Sequence, residues 1–112
     1  SAAVLAVTVL LALTGCSQKL STSETCVELE AILSFSEVGI WTESPAAQAE
    51  FFDMVDKLAS RSSDTLKDFV VDIGLANEQR VKPAKDQDSA KLERIQERLD
   101  AKKDMVWAVC KL

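Results

Sequence analysis

Two regimes of hydrophobic patterning divide the chain. From Ser1 to Leu13 apolar residues follow one another almost without interruption and without a charge. Beyond Ser17 they return at steps of three and four, the spacing of one face of a helix. Between the regimes Ser17, Gln18, Lys19, Ser21, Thr22, Ser23 and Glu24 make a polar stretch, read as a flexible linker that ends at Thr25. Thr25-Cys26-Val27-Glu28 then has the form of a capping box, so a first helix is expected to start near Cys26. Its apolar face runs through Cys26, Leu29, Leu33 and Ile40, with Ile32 beside it and Gly39 as its stop.

Ser44-Pro45 reopens a helix, with a hydroxyl cap and a proline where the missing N–H is no loss. This second helix presents Phe51, Phe52, Val55, Leu58 and Ala59. A turn is expected at Ser60 to Ser63, followed by a third helix carrying Leu66, Phe69, Val70, Ile73 and Ala76. The turn has no Gly or Pro, and Val55, Ala59, Ser62, Leu66, Phe69 and Ile73 keep helical steps across it. One long helix over 45–81 is therefore the alternative. Lys82-Pro83 ends the segment, because the residue before proline is pushed out of helical geometry. A fourth helix, starting between Pro83 and Ser89, shows Leu92, Ile95, Leu99, Val106 and Val109 or Cys110, interrupted by Lys102. No stretch alternates with period two and no hairpin dipeptide occurs. The fold class predicted is all-α: a small antiparallel up-down-up-down four-helix bundle over 26–112, or three helices if 45–81 is continuous.

The boundary between the regimes is Leu13-Thr14-Gly15-Cys16. It resembles the lipobox of bacterial lipoproteins, in which a Leu, a small or hydroxyl residue and a Gly or Ala precede the cysteine. The resemblance implies that 1–15 is a signal peptide, that Cys16 is lipidated with diacylglycerol and becomes the first mature residue, and that 16–25 is lipidated cysteine plus linker. The apolar run is short for a span, which needs about 20 residues. It has neither an initiator Met nor a basic residue ahead of it, so the chain is read as starting inside its signal. In layout the whole chain looks like a small lipoprotein of the Gram-positive, high-GC type, held on the outer face of the cytoplasmic membrane. With Cys16 assigned to lipid by that resemblance, Cys26 and Cys110 remain. In an oxidising compartment they are expected to form a disulfide, the alternatives being two buried thiols or bonding to another chain. Such a bond joins the first and last helices at one end of the bundle, with the turn at 60–63. Gly39 to Ser44 and Lys82 to Asp88 then form the opposite tip.

The net charge of −5 argues against a nucleic-acid partner and leaves membrane attachment to the lipid. The chain contains no His and no Tyr, which removes the commonest general base and metal ligand, and it has no phosphate-binding glycine loop. An enzyme is not expected, nor a cofactor. Asp64, Asp68 and Asp72 share a helix face at steps of four and are the one weak candidate for a cation site; a solvated acidic face is the simpler reading. Asp86-Gln87-Asp88 opens like a calcium loop but continues with Ala90 and Lys91, and is read as a helix cap. Ile40 and Trp41 at the tip are candidates for contact with a partner, or for a lid over the core. Trp107 is expected to pack on the disulfide, and Phe51-Phe52 to be plain core. Two functions follow as expectations. One is a non-catalytic structural or interaction module meeting an envelope protein or polymer. The other is a module that binds a small ligand or divalent cation, marked by a cavity above ~300 Å³ with convergent polar groups.

Overall fold

The computed structural model describes residues 18–112 apart from Val38. The apolar run, the Leu13-Thr14-Gly15-Cys16 motif and Ser17 lie outside the described residues. Four α-helices follow: α1 (Thr22–Glu37), α2 (Pro45–Arg61), α3 (Asp64–Val81) and α4 (Ser89–Cys110). Short 3₁₀ turns at Ile40–Thr42 and Ala84–Asp86 join α1 to α2 and α3 to α4. Among the described residues there is no strand. Helices adjacent in sequence pack on one another, and α1 and α3 also meet across the middle. The bundle is up-down-up-down, with its long connections at one end and the tight α2–α3 turn at the other.

The apolar stripes predicted from periodicity become the core. Leu29, Ile32, Phe51, Val55, Leu58, Leu66, Phe69, Val70, Ile73, Ile95 and Val106 are all buried. Phe51 stacks edge-on against Phe52 and lies near Phe35, so the Phe pair is packing. Gly74 sits mid-helix because α2 leaves no room for a side chain: a Cβ there would stand 2.9 Å from Val55 Cγ1.

The Cys26–Cys110 disulfide is formed, with Cα atoms 5.3 Å apart across 84 residues of sequence. It joins the first turns of α1 to the last turn of α4. The chain breaks at Ser62 and Ser63, which are extended, so α2 and α3 are separate helices and the long-helix alternative does not occur. A partner distant in sequence makes the break. The Ser63 N–H donates to Thr25 Oγ1 at 3.1 Å, and Thr22 Oγ1 donates to Ser63 Oγ at 3.2 Å. The α2–α3 turn thus lies at the disulfide end, as the topology required.

The start of α1 corrects the sequence reading. Two consecutive boxes occur, Ser21-Thr22-Ser23-Glu24 and Thr25-Cys26-Val27-Glu28, and the first one caps the helix. Glu24 N–H donates to Ser21 Oγ at 3.1 Å, and Ser21 N–H donates to Glu24 Oε1 at 3.0 Å. The Thr25 hydroxyl is used elsewhere, donating to Ser21 O and accepting from Ser63. The segment just before is also no loose linker. Leu20 packs on the core and donates its N–H to Arg61 O, and Lys19 pairs with Asp64 at 2.6 Å. The folded unit begins near Lys19, several residues earlier than position 26.

The other ends follow the predicted chemistry. Ser44 Oγ accepts from Ala47 N–H with Pro45 in the first turn of α2, and Asp88 caps α4 by accepting from Lys91 N–H at 3.0 Å. Gly39 takes φ 81, in the left-handed region, and a Cβ there would also meet the Trp41 ring at 3.3 Å. Buried Gln79 accepts from Asp88 N–H at 2.9 Å and so ties α3 to the cap of α4.

Candidate ligand cleft

Pinned by the disulfide at one end, α1 and α4 flank an open cleft of about 400 Å³ whose floor is α3. The floor follows from α3 periodicity: Phe69, Ile73, Ala76, Asn77 and Arg80 fall on one face at steps of three, four and one. From α1 come Leu33 and Ser36; from α4 come Gln96, Leu99, Asp100, Lys103 and Trp107. The apolar body is made by Leu33, Phe69, Ile73, Leu99 and Trp107, and the polar groups gather toward the half nearer the tip.

Asn77 decides the character of this cleft. Its side chain is 1% exposed. Nδ2 donates to Ile73 O at 2.9 Å and to Ser36 Oγ at 3.4 Å, which fixes the orientation of the amide. Oδ1 then has no donor, and it is the one buried side-chain polar atom without a partner among the described residues. A buried acceptor left unpaired costs about 1–3 kcal/mol, which makes this amide an unusual element of the cleft floor. Trp107 stands edge-on to Phe69, with centroids 6.4 Å apart, and Lys103 Nζ lies 5.5 Å from the centroid of the Trp107 ring at the rim. Arg80 reaches from the floor to the Trp41 ring, 5.7 Å away. Two cations and the Asp100 carboxylate thus border an apolar trough with one buried acceptor in its floor.

Several sequence candidates are placed differently. Asp64, Asp68 and Asp72 do not converge into a ligand set; each meets its own cation. Lys19 lies 2.6 Å from Asp64 and Lys102 3.7 Å from Asp68. Arg98 forks onto Asp72, with Nη2 at 2.8 Å and Nε at 3.2 Å. Among the described residues no group of acidic or cysteine side chains is arranged to hold a metal ion. Ile40 is buried and cannot be a partner contact; it closes the core at the tip. Trp41 is 46% exposed and is the only half of that pair on the surface. Trp107 packs edge-on against Phe69 and lines the cleft, and together with Cys110 it also lines the neighbouring groove.

Lys19 holds the Asp64 carboxyl below its ordinary value, first through their hydrogen bond and then through charge. Glu24 is likewise lowered, by the Ser21 N–H and then by the Ser21 hydroxyl. Glu24 in α1 and Asp64 at the start of α3 thus fasten the N-terminal strap that begins at Lys19, and neither lines the cleft.

No described helix is long and apolar enough to cross a membrane. Comparison with known protein families, curated proteins and solved structures finds no match. The functional reading therefore rests on the residues themselves. Sequence inspection passed over Asn77 because Ala76 filled its place in the apolar stripe. The available signal was a polar amide one step from that stripe, four residues after Ile73.

Proposed function

We propose that this chain is a non-catalytic binding module, lipid-anchored through Cys16 on the outer face of the cytoplasmic membrane, which holds a small amphipathic molecule in the cleft between α1 and α4. The observation that carries the reading is the buried, unpaired Oδ1 of Asn77 in the floor of a cleft of about 400 Å³, within the size range of small-molecule sites. The ligand class follows from the lining. An N–H or O–H group faces Asn77, an aliphatic or aromatic body lies on Phe69, Leu99 and Trp107, and a carboxylate or similar anionic end meets Lys103 and Arg80. The lining offers an amide, a hydroxyl and charged ends but no paired nucleophile and base, which supports retention over turnover.

The test is a titration with amphipathic fragments, followed by Trp107 fluorescence and by the methyl signals of Leu33 and Leu99. Fragments carrying a donor are expected to shift these signals, and analogues with the donor methylated are expected not to. Shifts that ignore the donor, or that fall only on residues outside the cleft, contradict the reading. Anchorage is tested separately: protein from the membrane fraction should begin at Cys16 and carry the mass of diacylglycerol.

A second reading is favoured by one observation. Trp41 stands half-exposed at the tip with Arg80 against its ring, an aromatic and arginine pair of the kind that anchors protein contacts. On that reading the tip meets an envelope protein or polymer, and Trp41→Ala abolishes the contact while leaving ligand shifts in the cleft unchanged.

A further inference from the structure

Four large apolar side chains are left on the surface at the disulfide end: Val27, Met105, Val109 and Leu112. Val27 is the most open of the large hydrophobic residues in the described chain, at 71% exposed. Val27 and Val109 line one shallow groove beside Cys26, Cys110 and Lys111, and Leu112 lines the next groove, also against Cys110 and Lys111. Glu30 lines both grooves too, so Val27, Val109 and Leu112 border the disulfide with Glu30 and Lys111 set among them. Nothing in the core needs these residues outside, and an apolar cluster of this kind marks a contact surface.

The chain itself selects the partner. The fold grips the N-terminal strap from Lys19 onward, through the Lys19–Asp64 pair, the Leu20–Arg61 hydrogen bond and the Ser21–Glu24 box. Three residue steps separate Lys19 from Cys16, a leash of at most about 11 Å when fully extended. An interfacial zone of roughly 5–8 Å on each side of the hydrocarbon takes up most of that reach. Too little leash is left for another protein to fit between the disulfide end and the bilayer. Val27, Val109 and Leu112 are the exposed large apolar side chains beside the disulfide at this end.

We propose that Val27, Val109 and Leu112 form a membrane-seating surface, which rests on the headgroup–acyl boundary and holds the bundle upright with its tip outward. This rests on the reading of Cys16 as the lipid anchor. Single acyl chains bind marginally, and added apolar contact strengthens surface attachment. The overall negative charge of the chain makes the contact apolar in origin, so it should survive in neutral lipid and in high salt.

The test uses the chain from Cys16 onward, which contains all four helices. Cys16 is its only thiol outside the disulfide and can be coupled to a maleimide lipid in phosphatidylcholine nanodiscs doped with a spin-labelled lipid. Methyl signals of Val27, Val109 and Leu112 are expected to lose most of their intensity, and those of Val71 and the Trp41 indole to keep it. The double variant Val27→Glu with Val109→Glu, at two exposed positions, should restore the Leu112 signal while the other helix signals stay in place. Equal loss at both ends, or loss unchanged in the double variant, overturns the seating. Concentration-dependent dimerisation without lipid that the same variant abolishes also overturns it, in favour of a second copy as the occupant. A native Cys16 found without lipid overturns the anchorage reading instead, and the nanodisc result distinguishes the two failures.

Discussion

Replacing Asn77 by Leu separates a binding residue from a structural one, because the two roles predict opposite signs. In the ligand-free protein Asn77 Oδ1 is buried without a donor, a penalty of about 1–3 kcal/mol that Leu removes. Against this stand two lost donations. The bond to Ile73 O at 2.9 Å goes to a carbonyl that already serves the helix ladder, and the bond to Ser36 Oγ is long, at 3.4 Å. Together they are worth roughly 1 kcal/mol. Leu also adds apolar surface beside Phe69, Ile73 and Leu99, and the adjacent cleft gives it room. The balance is a gain of about 1 kcal/mol for Asn77→Leu, or several degrees in Tm for a domain of this size. Urea unfolding read by helical circular dichroism measures it, with the slope against denaturant checked for constancy. The same variant should lose the donor-dependent ligand shifts. A destabilisation of more than about 1 kcal/mol would refute the reasoning, since it would show that the amide is a satisfied structural element.

Three other perturbations follow from the fold. Reducing Cys26–Cys110, or replacing both cysteines by Ala, should cost up to roughly 4–5 kcal/mol from the entropy of the opened loop, read as a fall in the urea midpoint; a change under about 1 kcal/mol would contradict it. Gly74→Ala should destabilise by about 1–3 kcal/mol despite the better helix former, because the new methyl meets Val55, and Val55→Ala should relieve much of that cost in the double variant. Acid should open the N-terminal strap first. Asp64 and Glu24 have folded pKa values below their ordinary 3.8 and 4.5, so their contribution is present above those values and is lost as pH falls through the lower, folded ones. Amide exchange at Leu20 should therefore rise below about pH 4 while the α3 amides stay protected. Asp64→Asn should weaken this dependence, and a rise that starts near neutral pH would exclude these carboxylates as its cause.

Local chemistry was legible in the sequence where it acts on its own neighbours. Ser44-Pro45, Gly39, Lys82-Pro83 and Asp88 each end or begin an element through a cap or backbone preference that acts within a few residues, and each does so in the structure. Periodicity likewise located the core, because burial of one helix face needs only the repeat. Choices between local equals were not legible. Ser21 and Thr25 head equally good boxes, and the Ser63 N–H, 38 residues away, takes the Thr25 hydroxyl and leaves Ser21 to cap α1. The same long-range bond makes the Ser62–Ser63 break, which no Gly or Pro announces.

Charge patterning was read correctly as far as one helix face, and no further. Asp64, Asp68 and Asp72 do share a face of α3, but Lys19, Lys102 and Arg98 arrive from other segments and divide them. Ile40 and Trp41 are neighbours with opposite fates, since a 3₁₀ turn sends one inward and the other out. The cleft was the least legible feature. It exists because α1 and α4 leave the face of α3 partly uncovered, and helix spacing does not record how far two helices stand apart.

Native mass spectrometry of the chain extracted from the membranes of producing cells, wild type beside Asn77→Leu, tests the central claim most directly. The account predicts a noncovalent small-molecule adduct on the wild type that disappears on unfolding and is missing from the variant. Ligand-free wild type, or the same adduct on both proteins, would contradict it.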